Sequence, residues 1–91
     1  MNMTDRNSQI VRVYTMRNCP YCVMAKRLLS SRGVAFEEIL VPLEDETQWD
    51  SLEKISGMKT MPQIFFREKL IGGYSDLSKL DQRDGLESLK T

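Results

Sequence analysis

Cys19 and Cys22 are the only cysteines in the 91-residue chain, and their spacing is Cys-x-x-Cys. A thiolate, not a thiol, attacks a disulfide or binds a metal. Pro20, directly after Cys19, suits the first position of a helix, where its missing N–H has no intrahelical role. Val23, Met24, Ala25, Leu28 and Leu29 then recur at helical spacing, with Lys26 and Arg27 turned outward. Cys19 is therefore expected to cap a helix, with Cys22 one turn inside on the same face. Unpaired N–H groups and the positive end of the helix favour a thiolate at Cys19. This asymmetry makes Cys19 the expected exposed nucleophile and Cys22 the inner thiol that resolves a mixed disulfide.

Other readings of the pair stay open on these residues alone. Zinc usually takes four ligands, whereas this chain offers two thiolates and has no histidine. A zinc site would need carboxylates or a second chain. A structural disulfide closing so small a loop removes little chain entropy. Two inert buried cysteines are the third alternative. The missing histidine also rules out an imidazole base within the chain.

Other elements must position the pair. Ile10–Tyr14 is β-branched and aromatic and reads as a buried strand; residues 15–18 form the loop to the helix. Gly33 ends that helix. Val34–Leu40 reads as a second strand closed by Pro42, which completes a βαβ unit with parallel strands. Glu44–Ser56 reads as a second helix with Trp49, Leu52 and Ile55 on one face. Glu44, Asp45 and Glu46 suit its N-terminus, and Gly57 ends it. Gln63–Phe66 and Leu70–Ile71 are expected to form an antiparallel hairpin, although Arg67-Glu68-Lys69 is a poor turn by composition. Ser75 is the expected N-cap of a helix carrying Leu77 and Leu80. Leu86 and Leu89 belong to a last short helix after Gly85. The order β-α-β-α-β-β-α implies an α/β domain with one mixed four-stranded sheet flanked by helices.

Bulk properties bound the function. The length suits one domain, expected over residues 9–91, after a mobile polar tail at residues 1–8. Thirteen basic residues balance thirteen acidic ones, so there is no electrostatic case for nucleic acid or a membrane surface. No signal peptide or membrane span is read. A cytoplasmic location follows as an expectation, and in a reducing compartment a Cys-x-x-Cys pair is more often catalytic or metal-binding than structural. The six methionines read as core filler.

Three motifs, Cys19-Pro20-Tyr21-Cys22, Thr60-Met61-Pro62 and Gly72-Gly73-Tyr74-Ser75-Asp76, make the chain from Ile10 onward resemble the dithiol glutaredoxins. Singly, the second motif is a loop, Gly72-Gly73 a strand end, Ser75-Asp76 a helix cap and Tyr21 a packing ring. Their joint occurrence carries the resemblance. It implies a thioredoxin fold and reduction of protein disulfides and glutathione mixed disulfides, with glutathione as co-substrate, no tightly bound cofactor and no metal. By resemblance, Pro62 is a cis-proline facing the cysteines. The Met61 backbone pairs with the cysteinyl backbone of glutathione. Gly73, Tyr74, Ser75 and Asp76 hold the γ-glutamyl end, with Tyr21 and Thr60 also at the site. Met16 stands where many relatives carry lysine. This leaves Arg17 and Lys59 as the cations for the glycine carboxylate, unless they are only solvated surface charges. Met61 replaces the usual valine, and Ser75 a common threonine or aspartate.

The implied partners are glutathione and disulfide-containing or glutathionylated proteins, met by a monomer whose redox poise is about −200 to −230 mV. The rivals are an electron donor served by thioredoxin reductase, an iron–sulfur carrier with Cys19 and glutathione as ligands between two chains, and a non-catalytic interaction domain. The Gly72–Asp76 segment favours glutathione over thioredoxin reductase. Pro20 and Cys22 weigh against the cluster, and the intact pair weighs against a non-catalytic role.

Overall fold

The computed structural model describes residues 11–90; the expected tail at residues 1–8 and Ile10 lie outside them. Strand β1 (Val11–Thr15) buries Val11, Val13 and Thr15, while Arg12 and Tyr14 are half-buried on the other face. Helix α1 (Pro20–Ser31) follows, with Cys19 as its N-cap. Cys22, Ala25 and Leu29 form its buried stripe, whereas Val23 and Met24 are exposed despite their helical spacing. The helix closes through Gly33 N–H to the Ser30 carbonyl (3.0 Å) and Val34 N–H to the Leu29 carbonyl (2.9 Å), the paired bonds of a Schellman ending. Val34 is thereby committed to the helix end, which is why β2 is shorter than expected, spanning Glu37–Leu40.

Helix α2 (Glu46–Ser56) begins at Asp45, whose side chain accepts the Gln48 N–H at 3.1 Å, and ends at Gly57. Trp49 and Leu52 pack inward, but Ile55 is 69% exposed, so the expected three-residue face is two residues wide. Strands β3 (Gln63–Phe66) and β4 (Lys69–Gly72) form the hairpin. Its unpromising turn is managed by Arg67, which adopts φ +57° with its guanidinium 5.4 Å from the Phe66 ring centre. Phe65 pairs with Leu70 but Ile64 with Gly72, leaving Ile71 as a bulge.

Helix α3 (Tyr74–Asp84) starts earlier than expected. Its N-cap is Gly73 rather than Ser75, because the Asp76 carboxylate reaches back to accept the Gly73 N–H at 3.1 Å. The short last helix is a 3₁₀ turn, Glu87–Leu89, with Leu86 and Leu89 buried.

The sheet order is β2-β1-β3-β4, with β1 and β2 parallel and the remaining pairs antiparallel. This matches the mixed four-stranded sheet expected from the element order. Strand alternation divides the core in two. Val11, Val13 and Ile64 meet Ala25, Leu29 and Leu77 from α1 and α3. On the opposite face, Phe65 packs with Leu52, Val41, Trp49 and Tyr14, the last edge-to-face at 5.6 Å. Arg32 clamps α1 to α3 through a two-pronged pair with Asp81 (2.6 and 3.0 Å). Among the described residues no helix is long and apolar enough to cross a membrane.

Glu38 ties β2 to its neighbours. Its Oε2 accepts from Thr15 Oγ1 (2.8 Å) on β1 and Lys26 Nζ (3.0 Å) on α1. The Lys26 bond, assisted by Thr15 and opposed by burial, holds the carboxyl below its ordinary range. A depressed folded-state value stabilises the fold above the unfolded value, and that stabilisation is lost as pH falls through the depressed one. Glu38→Gln should therefore be less stable than the parent at neutral pH by about 0.5–1 kcal/mol, a size set by the pair's solvent access. The gap should begin to narrow in denaturation curves as pH falls below about 4 and keep narrowing on further acidification. A gap that widened on acidification would contradict this.

Candidate active site

The ends of β1, α1, β3 and α3 converge on the cysteines. Asn18 takes a left-handed conformation (φ +56°), which asparagine tolerates well, and turns the chain off β1 into Cys19. The Cys19 backbone is extended (φ −120°), and its sulfur accepts the Cys22 N–H at 3.2 Å. The sulfur thus occupies the place of an N-cap oxygen at the positive helix end. The pair is joined as a disulfide with its Cα atoms 5.2 Å apart, so the sulfurs here stand for the oxidised form of the two thiols. Exposure departs from expectation: Cys19 is only 6% and Cys22 2% exposed. Both pack against Met61, Phe65, Leu52 and Val41, so Cys19 is not an exposed residue in this state.

Opposite Cys19 lies the Met61–Pro62 peptide, which is cis as expected. The Met61 carbonyl oxygen is 3.8 Å from Cys19 Sγ. Beside it runs a groove of about 380 Å³ lined by Tyr21, Met58, Thr60, Met61, Pro62, Gly73, Tyr74, Ser75 and Asp76. Eight of the ten residues named from the resemblance as glutathione contacts share this wall. Tyr21, 60% exposed, stacks on Tyr74 with ring centres 6.1 Å apart, joining the first turns of α1 and α3. The groove floor at Tyr74–Asp76 is a helix N-terminus, whose first N–H groups lack intrahelical acceptors. Such a terminus favours an anion.

The two remaining residues lie elsewhere. Arg17 borders a separate hollow with Leu40, Val41, Pro42, Leu43 and Glu44. Lys59 projects into solvent and pairs with Glu53 at 3.7 Å. Met58 is a wall residue that the motifs did not mark; its Cε would lie 3.7 Å from a Cβ placed on Gly73. Nothing in its type or spacing signals this, since its approach depends on how the 57–62 loop folds back. A second hollow touches both cysteines from the other side, between Thr15, Lys26, Glu38 and Leu40.

A family model described as glutaredoxin matches residues 11–71. The chain is similar to glutaredoxin 3 of Escherichia coli K12, with 46% identity over 80 residues, covering 87% of this chain and 94% of that one. The crystal structure of wheat glutaredoxin has a TM-score of 0.81 at 30% identity, over 97% of this chain and 83% of that one. A buckwheat glutaredoxin–glutathione complex shares the fold, with a TM-score of 0.78 at 23% identity over 91% of this chain and 77% of that one. The sheet order is thus that of the thioredoxin fold, and the Cys19–Cys22 pair fits a dithiol redox motif in an oxidoreductase framework. Family model, relatives of nearly the same length and fold agree: the chain belongs to the glutaredoxin family.

Proposed function

We propose that the protein is a glutathione-dependent thiol–disulfide oxidoreductase that reduces glutathione mixed disulfides and protein disulfides. The observation that carries this reading is the adjacency of the Cys19 sulfur to a groove that ends in the open first turn of α3. A tripeptide laid along that groove finds the Met61 backbone for its cysteinyl unit and the Tyr74–Asp76 N–H groups for its γ-glutamyl carboxylate. The Asp76 carboxylate is available to its ammonium group. Lys59, paired among the described residues with Glu53 in an exposed contact, is the first candidate for the glycine carboxylate, since such a pair is weak. Arg17, in its separate hollow, is the weaker candidate.

The chemistry is thiolate exchange. The Cys19 thiolate attacks the glutathionyl sulfur of a mixed disulfide, forming Cys19–S–SG and expelling the substrate thiolate. A second glutathione thiolate attacks the glutathione sulfur of that intermediate, giving oxidised glutathione and restoring the Cys19 thiolate. With a protein disulfide, Cys19 first forms a mixed disulfide with the substrate. The Cys22 thiol, losing its proton, then attacks Cys19 Sγ and releases the reduced protein. Two glutathiones reopen the Cys19–Cys22 bond.

The test is steady-state reduction of a small glutathione mixed disulfide, with glutathione or a thioredoxin reductase system as electron source. Saturable dependence on glutathione is expected, and turnover with the reductase alone would reverse the assignment. Asp76→Ala should raise the glutathione KM about tenfold, the loss of one charge-assisted contact. Its melting temperature should also fall through loss of the bond to the Gly73 N–H, so the KM is the readout that separates ligand binding from capping. An unchanged KM would leave Asp76 as a helix cap only.

A further inference from the structure

Gln63 is the first residue of β3, follows Pro62 directly, and is fully buried. Its side-chain Nε2 donates to two backbone carbonyls, Met58 O at 3.2 Å and Thr60 O at 3.1 Å. Both amide hydrogens are thereby used, and both go to the segment that walls the groove through Met58, Thr60, Met61 and Pro62. The other end of the same amide is unmatched: Oε1 is buried and has no hydrogen-bond partner among the described residues. An unpartnered buried acceptor is destabilising. A methionine or leucine would fill the space without that penalty. The side chain at this position is therefore poorly chosen for the core and well chosen for its two donors.

Those donors act on a segment with little else to shape it. Residues 57–62 belong to no helix or strand, so their backbone polar groups must find partners outside a ladder. Met58 N–H is held by Ser56 Oγ at 3.0 Å. Gln63 holds the other side, binding carbonyls two residues apart from inside the protein. The residue after Thr60 is Met61, whose carbonyl faces Cys19 Sγ.

We propose that Gln63 is a positioning residue for glutathione, its amide clamping Met58 and Thr60 so that the Met61 backbone is presented to the tripeptide in a fixed geometry. The inference rests on the glutathione reading above. A loop already ordered gives up less entropy when the ligand pairs with it, so the effect belongs mainly in ligand binding rather than in the reactivity of the Cys19 sulfur.

Two variants separate this role from plain packing. Gln63→Glu keeps the shape but leaves at most one donor, on a protonated carboxyl, for two carbonyls; Gln63→Met removes the polar group and its unmatched acceptor together. Each is assayed for glutathione KM and kcat with a small glutathione mixed disulfide, for the rate of Cys19 alkylation by iodoacetamide in the reduced protein, and for melting temperature. Both variants should raise the glutathione KM about tenfold with kcat within about threefold, the signature of lost binding geometry. Alkylation should stay within about twofold, because the helix end that activates Cys19 is untouched. Gln63→Met should do this without a lower melting temperature. If Gln63→Glu does not fold, Gln63→Met alone decides. A glutathione KM within about twofold of the parent in a folded variant overturns the proposal, whatever its melting temperature. A parent protein without saturable glutathione dependence overturns instead the functional reading on which it rests.

Discussion

Cys19→Ser is expected to lose at least about a thousandfold in glutathione-dependent turnover, equivalent to about 4 kcal/mol of barrier, while folding as well as the parent. The contrast follows from one geometry read two ways. The Cys19 sulfur accepts the Cys22 N–H at the first turn of α1. A serine hydroxyl does that job at least as well, since serine is among the best N-cap residues. A hydroxyl at this position is not ionised near neutral pH, however, and a weak, unactivated nucleophile cannot open a disulfide at a useful rate. Stability and activity should therefore part company, which a merely destabilised variant would not show. Cys22→Ser supplies the comparison. It removes the resolving thiol but leaves the helix end, so turnover of a small glutathione mixed disulfide should persist within about tenfold. Reduction of a protein disulfide should fall much further. Rates measured side by side on the two substrates decide the matter. The assignment fails if Cys19→Ser keeps parental turnover, or if Cys22→Ser loses both activities equally.

Gly72→Ala should be the most damaging methyl addition in the chain. Gly72 has φ +127°, and a Cβ there would overlap the Asp76 carboxylate. Gly57 offers an internal standard, since it has φ +74° but nothing within 4 Å of where a Cβ would stand. Gly57→Ala should show only the backbone penalty, about 1 kcal/mol. At Gly72 the unfavourable backbone accounts for about 1–3 kcal/mol, and relief of the overlap requires Asp76 to leave the Gly73 N–H that it caps. Denaturant midpoints should rank parent, Gly57→Ala, Gly72→Ala from most to least stable. Only Gly72→Ala should also raise the glutathione KM, because its damage reaches the groove. Equal midpoints for the two variants, with equal KM values, would show that Asp76 is not held in place by the space Gly72 leaves.

Much of the fold is legible in the chain because its signals are local. Pro20 after Cys19 marks a helix start, Gly33 and Gly57 mark helix ends, and the β-branched run before Asn18 marks the central strand. The elements that departed did so through side-chain and packing choices that residue type and spacing leave open. Val23 and Met24 fit the helical spacing, yet Cys22, Ala25 and Leu29 take the buried stripe because the sheet lies on their side. Ser75 has the chemistry of an N-cap, but Asp76 reaches Gly73 first. Within the site, eight motif residues line one groove beside the cysteines, while the cations Arg17 and Lys59 stand apart from it. A charged side chain's destination depends on its neighbours in space, which spacing alone does not encode. Gln63 is the same lesson from inside: as a letter in a strand it is ordinary, and its two hydrogen bonds exist only once the preceding loop folds back over it.

The bulge at Ile71 sets a count. Before it, β4 pairs with β3 as Lys69 with Phe66 and Leu70 with Phe65; after it, Gly72 meets Ile64. An unbroken ladder would bring Gly72 one step farther, level with Gln63, and turn each following side chain to the other face. One step is about 3.3 Å, far more than a hydrogen bond can stretch before it is lost. Ile71 thus works as a spacer that trims the reach of the hairpin, so the start of α3 comes up beside the sulfur pair instead of past it. In this domain a single residue in an edge strand calibrates where the start of α3 sits along the sheet.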